Sequence, residues 1–557
     1  MTLPDDSPGG PTKVIFFGGM GEIGRNMLAI ESDGSILVID CGFSFPTEEM
    51  LGVDLVLPDF DYVRLRSQDC VGVVLTHGHE DHVGALSWFL RDVPVPVFGT
   101  PLTIGIARRR LDSFGIHAEF VTVSEKQGRR IGPFECRFLA VAHSIPDCIA
   151  LAVATRDGRV LYTSDFKLDQ TPIDGRKTDV GAFARLGAEG VDLMLADSTN
   201  AERPGRTPSE AIVGETLRRI FARARRRIVV ACFASNLHRI QQVCEIAEEV
   251  GRRVAFVGRS MIANVEVGRE LGHLHVTDRG IFDIEDLDDV PPERSVVVCT
   301  GSQGEPLSAL ALIAAGEHKN VRVEGGDTVI LSASPIPGNE SAVHRVLNGL
   351  YRAGADVYHS ETSAVHVSGH AAADELAEMI DLVRPKHFTP VHGEYRHLAL
   401  HARIAALAGI DEHHVTIVED GDVLELFGGR VRRAEPISIF PVLVDGLGVG
   451  DVGPVVLRDR RILAEDGVLI CVVTIDGRDG AILAGPDLIS RGFVFEDRSR
   501  AFLDEAADRV ADALGELEAE RVTEWTTIKK MCRQALGEYV WRETGRRPMI
   551  LPIVMEV

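Results

Sequence analysis

The sequence predicts an α/β protein with three parts: a β-rich body, a doubly wound domain inserted into it, and a small third α/β domain. Three observations predict this. Strand-like runs dominate residues 11–207 and return, rich in histidine, over 364–445. Between them, short fully apolar runs alternate with amphipathic helical stretches over 208–363, the pattern of a parallel sheet buried on both faces. A glycine-rich stretch over 446–460 then reads as a linker to a last segment, 461–557, with its own strands and helices. The 557 residues suit roughly three domains at about 100–200 residues each.

Taken in order, residues 1–10 are acidic and rich in Pro and Gly, and read as a disordered tail without a signal peptide. KVIFFGG (13–19) is an apolar strand ending in glycines. NMLAIES and SILVID meet across Asp33-Gly34, a hairpin signal. VGVVLT leads into a His-rich loop and then a helix, VGALSWFL. Strands follow at 134–141, 149–155, 159–163 and 192–197. Thr207, Pro208 and Glu210 read as a capping signal for the helix in TPSEAIVGETLRRIFARA. Then come RIVVACF, a helix over 236–250, RVAFVG, SVVVCT, TVILSAS, a helix over 339–352 and ADVYHS. The last segment holds GVLICVVTI, AILAG, helices over 499–519 and 522–541, and the terminal run MILPIVMEV.

Composition narrows the class. Hydrophobic residues make up 45% and charged residues 25%, ordinary for a globular protein. No apolar run reaches the ~18–20 residues that span a bilayer. Nine cysteines without a CxxC pair fit reduced, buried thiols, and so a cytoplasmic protein. The net charge of −24 argues against nucleic acid when averaged over the surface. Basic clusters at Arg108-Arg109-Arg110, Arg129-Arg130 and Arg223 to Arg227 read first as solvated faces.

Two motifs stand out. Gly19-Met20-Gly21-Glu22-Ile23-Gly24 matches a dinucleotide fingerprint, but a hairpin follows where that reading needs a helix. It reads instead as a glycine-rich turn on the floor of a cleft. His77, His79, Asp81 and His82 share one loop after a buried strand. Three imidazoles and a carboxylate within six residues suit a borderline divalent metal such as Zn²⁺ or Mn²⁺. Burying them without a partner would cost several kcal/mol.

HxHxDH resembles the signature of the metallo-β-lactamase superfamily. That resemblance implies an αββα sandwich and two metal ions, with His77 and His79 on one and Asp81 and His82 on the other. It implies His143 as the third ligand of the first ion, Asp165 as the bridge, and Asp40 as the acidic residue that orients the His loop. The insertion is similar to the β-CASP domain of nucleases. Asp197 in ADST, His370 in HVSGH and His392 in PVHGE match its motifs, and His392 would complete the second ion's ligands. Histidine at that last position is the tendency of RNA-directed members. GGMGEIGRN, HGHEDHVGAL, ASNLHRIQQV, TGSQGEP, HVSGHA and DLISRGFVF together resemble the bacterial ribonuclease J family over essentially the whole chain beyond residue 10.

What the resemblance implies is two-metal hydrolysis of RNA phosphodiester bonds to 5′-phosphate products, by 5′-to-3′ exonuclease and endonuclease action in RNA maturation and decay. Asp81 would help orient the water, and His370 with Asp197 would assist the leaving group. Ser235, Asn236, His238, Gly258, Arg259 and Ser260, at loops after strands of the insertion, would form a pocket for a 5′-monophosphate. His366, Val367, Ser368, Gly369 and His370 would touch RNA beside the metals. The expected partners are RNA, a second or further copies through the C-terminal domain, and other RNA-decay proteins, with no membrane. A thioesterase or lactonase leaves the insertion without a purpose. A DNA repair nuclease is disfavoured by His392, and a non-catalytic RNA-binding subunit by the full set of seven candidate ligands.

Overall fold

The computed structural model describes residues 10–305, 307–336, 339–478, 481–494, 500–519 and 524–557. The expected tail, residue 10 apart, lies outside the described residues. Two units are distinguished, one running up to Phe45 and resuming over Leu55–Val442, the other comprising Pro46–Asp54 with Leu443–Val557. Among the described residues no helix is long and apolar enough to cross a membrane.

An eight-stranded and a six-stranded sheet form the body of the first unit. Their facing side chains share one core: Phe16, Ile30 and Leu37 from the first meet Phe138, Leu151, Tyr162 and Leu195 from the second. Alternation puts the next residues, such as Ala150, Ala152 and Met194, on the far face of the six-stranded sheet, under Phe183, Leu186, Leu376 and Met379 of flanking helices. Each buried phenylalanine stabilises by roughly 1.5–3 kcal/mol. The hairpin at Asp33-Gly34 forms as expected, with φ of 51° and 71° at its two central residues.

The alternating segment folds as five parallel strands in the order Arg253–Val257, Ser295–Cys299, Ile228–Ala231, Thr328–Leu331 and Asp356–His359. Val230, Val298 and Ile330 line one face, and Val229, Val297 and Val329 the other. Burial on both sides is why these strands read as unbroken apolar runs. In the second unit, strands Val468–Ile475, Ile482–Arg491 and Met549–Glu556 form a three-stranded sheet. Leu469, Cys471 and Val473 pack beneath Val510, Cys532 and Leu536 of two helices.

Three local expectations are corrected. Thr207 does not cap a helix: the helix is Ala211–Arg223, while Thr207 Oγ1 donates to the His370 carbonyl at 2.6 Å. Glu210 instead pairs with Arg239, a side chain with no exposed surface that also donates to Val365 O at 2.7 Å. Losing one partner of such a pair strands a buried charge, typically a cost of about 3–5 kcal/mol. The stretch 446–460, expected to be a linker, carries a helix from Pro454 to Glu465, since proline at its first position is preorganised for helix entry. The helix expected after the His loop is two short ones, Glu80–Val83 and Leu86–Asp92.

Candidate metal centre

The site is built at the carboxyl ends of strands from both sheets. In the six-stranded sheet, Gly158–Tyr162, Leu193–Asp197 and His387–Val391 are parallel neighbours. Asp165, Asp197 and His392 therefore emerge side by side. In the eight-stranded sheet, Ser35–Ile39 runs parallel to Cys70–Val74. That places Asp40 beside the His loop. Asp40, His392 and Ser164, the residue before Asp165, all have left-handed φ, at 59°, 55° and 54°. Such conformations cost of order 1–3 kcal/mol each in a non-glycine residue and cluster at functional sites.

The seven residues expected to hold metal converge. His77, His79, His143 and Asp165 offer ligand atoms within 4.8 Å of one another, and so do Asp81, His82, Asp165 and His392. Asp165 belongs to both groups: its Oδ2 lies 3.5 Å from Nε2 of His77, 3.5 Å from that of His143 and 3.4 Å from that of His82. Nδ1 of His82 donates to Asp40 Oδ2 at 2.8 Å, and Nδ1 of His143 to the Gly369 carbonyl at 2.8 Å. These bonds set the tautomer and turn each Nε2 toward the centre. Nε2 of His392 is buried without a hydrogen-bond partner, 3.4 Å from Asp81 Oδ2. Imidazoles and carboxylates aimed at two shared points, one nitrogen left unpaired, fit divalent cations.

Electrostatics divide the site. Burial lowers His77 and His143 well below the ordinary imidazole range, and His79 to about 4. Burial opposes charge on His82 and His392 too, but Asp165 outweighs it together with Asp81 and other carboxylates. His82 is held above its ordinary range, and His392 is pushed up to about 10. Carboxylates that draw two buried imidazoles toward positive charge mark a place that attracts cations.

His370 and Asp197 form the expected pair: His370 Nδ1 donates to Asp197 Oδ2 at 2.8 Å. Burial is outweighed by Asp197 and Asp165, and the imidazole is raised. The HVSGH loop is held from within. Ser368 Oγ accepts from Asn200 Nδ2 at 2.8 Å, the Gly369 carbonyl holds His143, and Val367 is buried. A Cβ on Gly369 would sit 2.6 Å from the His143 ring, so only glycine lets this loop close over His143. His366 keeps a buried, unpaired Nδ1.

The phosphate-pocket residues divide. Gly258 turns with φ 109°, leaving Arg259 and Ser260 exposed at the start of helix Arg259–Glu270. Ser235 is half-buried. Asn236 and His238 turn inward: Asn236 accepts from Arg239 N as a helix cap, and His238 Nε2 lies 3.1 Å from Asp174 Oδ2. Capping satisfies an otherwise orphaned backbone NH, which is why asparagine is held there. Several basic residues are paired rather than free: Arg109 with Glu266 and Glu270, Arg110 with Glu80, and Arg226 with Glu324 and Asp327.

Sequence reasoning gave Thr76, Ser144 and Asn26 no role. Thr76 donates to Asp40 through N and Oγ1, and Ser144 Oγ lies 3.3 Å from His79 Nε2. Asn26 Nδ2 lies 3.2 Å from Asp81 Oδ2. Only Asn26 sat in a motif that could have drawn notice.

Comparison with known proteins matches four family descriptions: metallo-beta-lactamase superfamily over residues 20–208, ribonuclease J beta-CASP domain over 225–350, Zn-dependent metallo-hydrolase RNA specificity domain over 359–415, and ribonuclease J C-terminal domain over 455–557. Ribonuclease J of Mycolicibacterium smegmatis is 44% identical over 100% of this chain and 99% of its own. Ribonuclease J2 of Bacillus subtilis is 39% identical over 98% of each. This chain belongs to the ribonuclease J family. A crystal structure of a protein of unknown function from Enterococcus faecalis shares the fold, with a TM-score of 0.55 at 17% identity, over 75% of this chain and 100% of that one. The ribonuclease J fold is thus a metallo-β-lactamase sandwich with a β-CASP insertion and a C-terminal domain.

Proposed function

We infer that this chain is a metal-dependent ribonuclease that hydrolyses RNA phosphodiester bonds to 5′-phosphate products, working from 5′ ends as an exonuclease and also cutting internally. The observation that carries this is the Asp165 carboxylate shared between two ligand clusters, with the His370–Asp197 pair alongside. His77, His79 and His143 would hold one ion, Asp81, His82 and His392 the other, and Asp165 both. When bound, zinc or manganese ions supply Lewis acidity and make water nucleophilic near neutral pH. Asp40 keeps His82 oriented. Asp81 would help align the water for in-line attack. With Nδ1 committed to Asp197, His370 would offer the proton on Nε2 to the departing 3′-oxygen.

The division of labour we propose keeps 11–207 and 364–445 as the catalytic body, 208–363 as the RNA clamp and 461–557 as the self-association domain. Ser235, Arg259 and Ser260, with the turn at Gly258, would receive a 5′-monophosphate; an exposed Arg beside a helix N-terminus suits phosphate. For self-association the support is the sheet face of 461–557 opposite its helices. There Ile470 pairs in register with Ile489 and Leu551, and Val472 with Ile553; Ile489, Leu551 and Ile553 are exposed. A dimer or tetramer would cover it.

The test is incubation with 5′-labelled monophosphorylated RNA in Mn²⁺, Zn²⁺ or chelator. The expected result is metal-dependent release of labelled mononucleotide, slower on 5′-hydroxyl RNA. Cleavage that survives chelation would overturn the metal reading, and equal rates on both ends the phosphate pocket. Thioester or lactone hydrolysis without RNA cleavage would overturn the substrate.

A further inference from the structure

The glycine-rich turn over residues 18–26 makes its contacts beside the metal centre. No helix follows it, and its Met20–Gly21 backbone pairs in parallel with Gly393–Glu394, the residues directly after His392. At its other end Asn26 is 3% exposed. Its backbone NH donates to the Asp81 carbonyl at 2.9 Å, and its Nδ2 lies 3.2 Å from Asp81 Oδ2 and 3.1 Å from His82 Nε2. One short turn therefore touches Asp81, His82 and the backbone beside His392. None of its hydrogen bonds reaches His77, His79 or His143.

The glycines explain how it fits. A Cβ on Gly19, at φ 87°, would sit 2.3 Å from Asn26 Oδ1, and one on Gly18 would sit 2.2 Å from the Arg25 carbonyl. The turn folds back on itself and presses the Asn26 amide toward Asp81. Its anchor comes from 395 positions along the chain: Asp420 Oδ2 accepts from Arg25 Nη2 at 2.8 Å, and Asp420 Oδ1 accepts from Met20 N at 3.0 Å. Arg25, itself buried, also donates from Nε to Glu22 at 2.6 Å.

We propose that residues 18–26 are the positioning element of the Asp81–His82–His392 half of the centre, with Asn26 orienting Asp81 and Asp420 anchoring the turn through Arg25 and Met20. This rests on the two-ion reading above. Groups that hydrogen-bond a metal's ligands set their orientation, and losing one typically costs about 10–100-fold in metal affinity. A turn that served the fold alone would change stability and leave the two binding events alike.

The experiment is calorimetric titration of the chelator-treated full chain with Mn²⁺, for the unchanged protein, Asn26→Ala, Asp420→Asn and the reference His392→Ala. The unchanged chain should bind two equivalents. Asn26→Ala should weaken, by about 10–100-fold, the same event that His392→Ala removes, while thermal unfolding of the ion-free chain stays put. Asp420→Asn, away from the ligands, should weaken that event by less. Two equivalents at unchanged affinity in both variants would overturn the inference while sparing the two-ion reading. Equal weakening of both events would overturn it too. A single equivalent in the unchanged chain would sink the two-ion reading and this inference with it. Should Asn26→Ala fail to fold, Asp420→Asn decides by the same criteria.

Discussion

The two halves of the centre are held in different ways. Around His77, His79 and His143 the neighbours other than the shared Asp165 are neutral: Thr76 and Ser144 hydroxyls and the Gly369 carbonyl. Burial, joined by repulsion from the neighbouring imidazoles, disfavours charge on these three. Around Asp81, His82 and His392 the neighbours are carboxylates, Asp40 and Asp165, and the imidazoles are drawn toward charge. The shared Asp165 aside, the first half offers a cation only lone pairs, whereas the second adds the charges of Asp81 and Asp40. The second half should therefore depend more on every group that keeps its charges in place.

The largest effect should come from dismantling the first half outright. His77→Ala with His79→Ala should take RNA hydrolysis to background with the fold intact by circular dichroism; undiminished turnover would break the two-ion scheme. His370→Ala should lower turnover by about 10²–10⁴-fold, the range of general acid–base catalysis, with metal content unchanged by mass spectrometry. Loss of metal instead would make His370 a ligand.

Glycines sharpen the contrast. A Cβ on Gly42 would sit 1.7 Å from the Asp81 carbonyl, a backbone clash, whereas one on Gly369 meets the His143 ring. Gly42→Ala should cost the second event more than the first, up to about 100-fold in Mn²⁺ affinity, and Gly369→Ala the reverse with a smaller loss. Equal losses would erase the distinction.

The smallest effect is a pH slope. Burial and Glu22 push Asp420 up to about 7 against the pull of Arg25. An acid with a raised folded pKa binds its proton more tightly when folded. Its stabilisation is complete below about pH 4 and is lost as pH rises to about 7, by at most about 4 kcal/mol. Denaturant unfolding across that window should show the decline, and Asp420→Asn should flatten it.

Much of this was legible beforehand, for stated reasons. The parallel strands announced themselves because burial on two faces demands unbroken runs such as IVVA and VVVC. The His loop did so because four candidate ligands fall within six residues. What stayed hidden depends on distant partners. Thr207 looked like a cap because its acceptor, the His370 carbonyl, lies 163 positions away. Arg239 is wholly buried on Glu210 and Val365, partners 29 and 126 positions away. Asn236 and His238 looked like ligand-facing polar residues, and local capping and Asp174 claimed them instead.

The centre joins strand ends from distant parts of the chain, and that bears on how the protein is made. His77 to His82 leave the ribosome long before His392, and the strand Val423–Phe427, which pairs with Thr12–Gly18, follows later still. At about 5–20 residues per second, the roughly 310 residues between His82 and His392 take on the order of 15–60 seconds to synthesise. Throughout that interval the nascent chain lacks His392, the last of the seven clustered residues. A centre assembled in this order cannot close its second cluster until well past the middle of the chain's own synthesis.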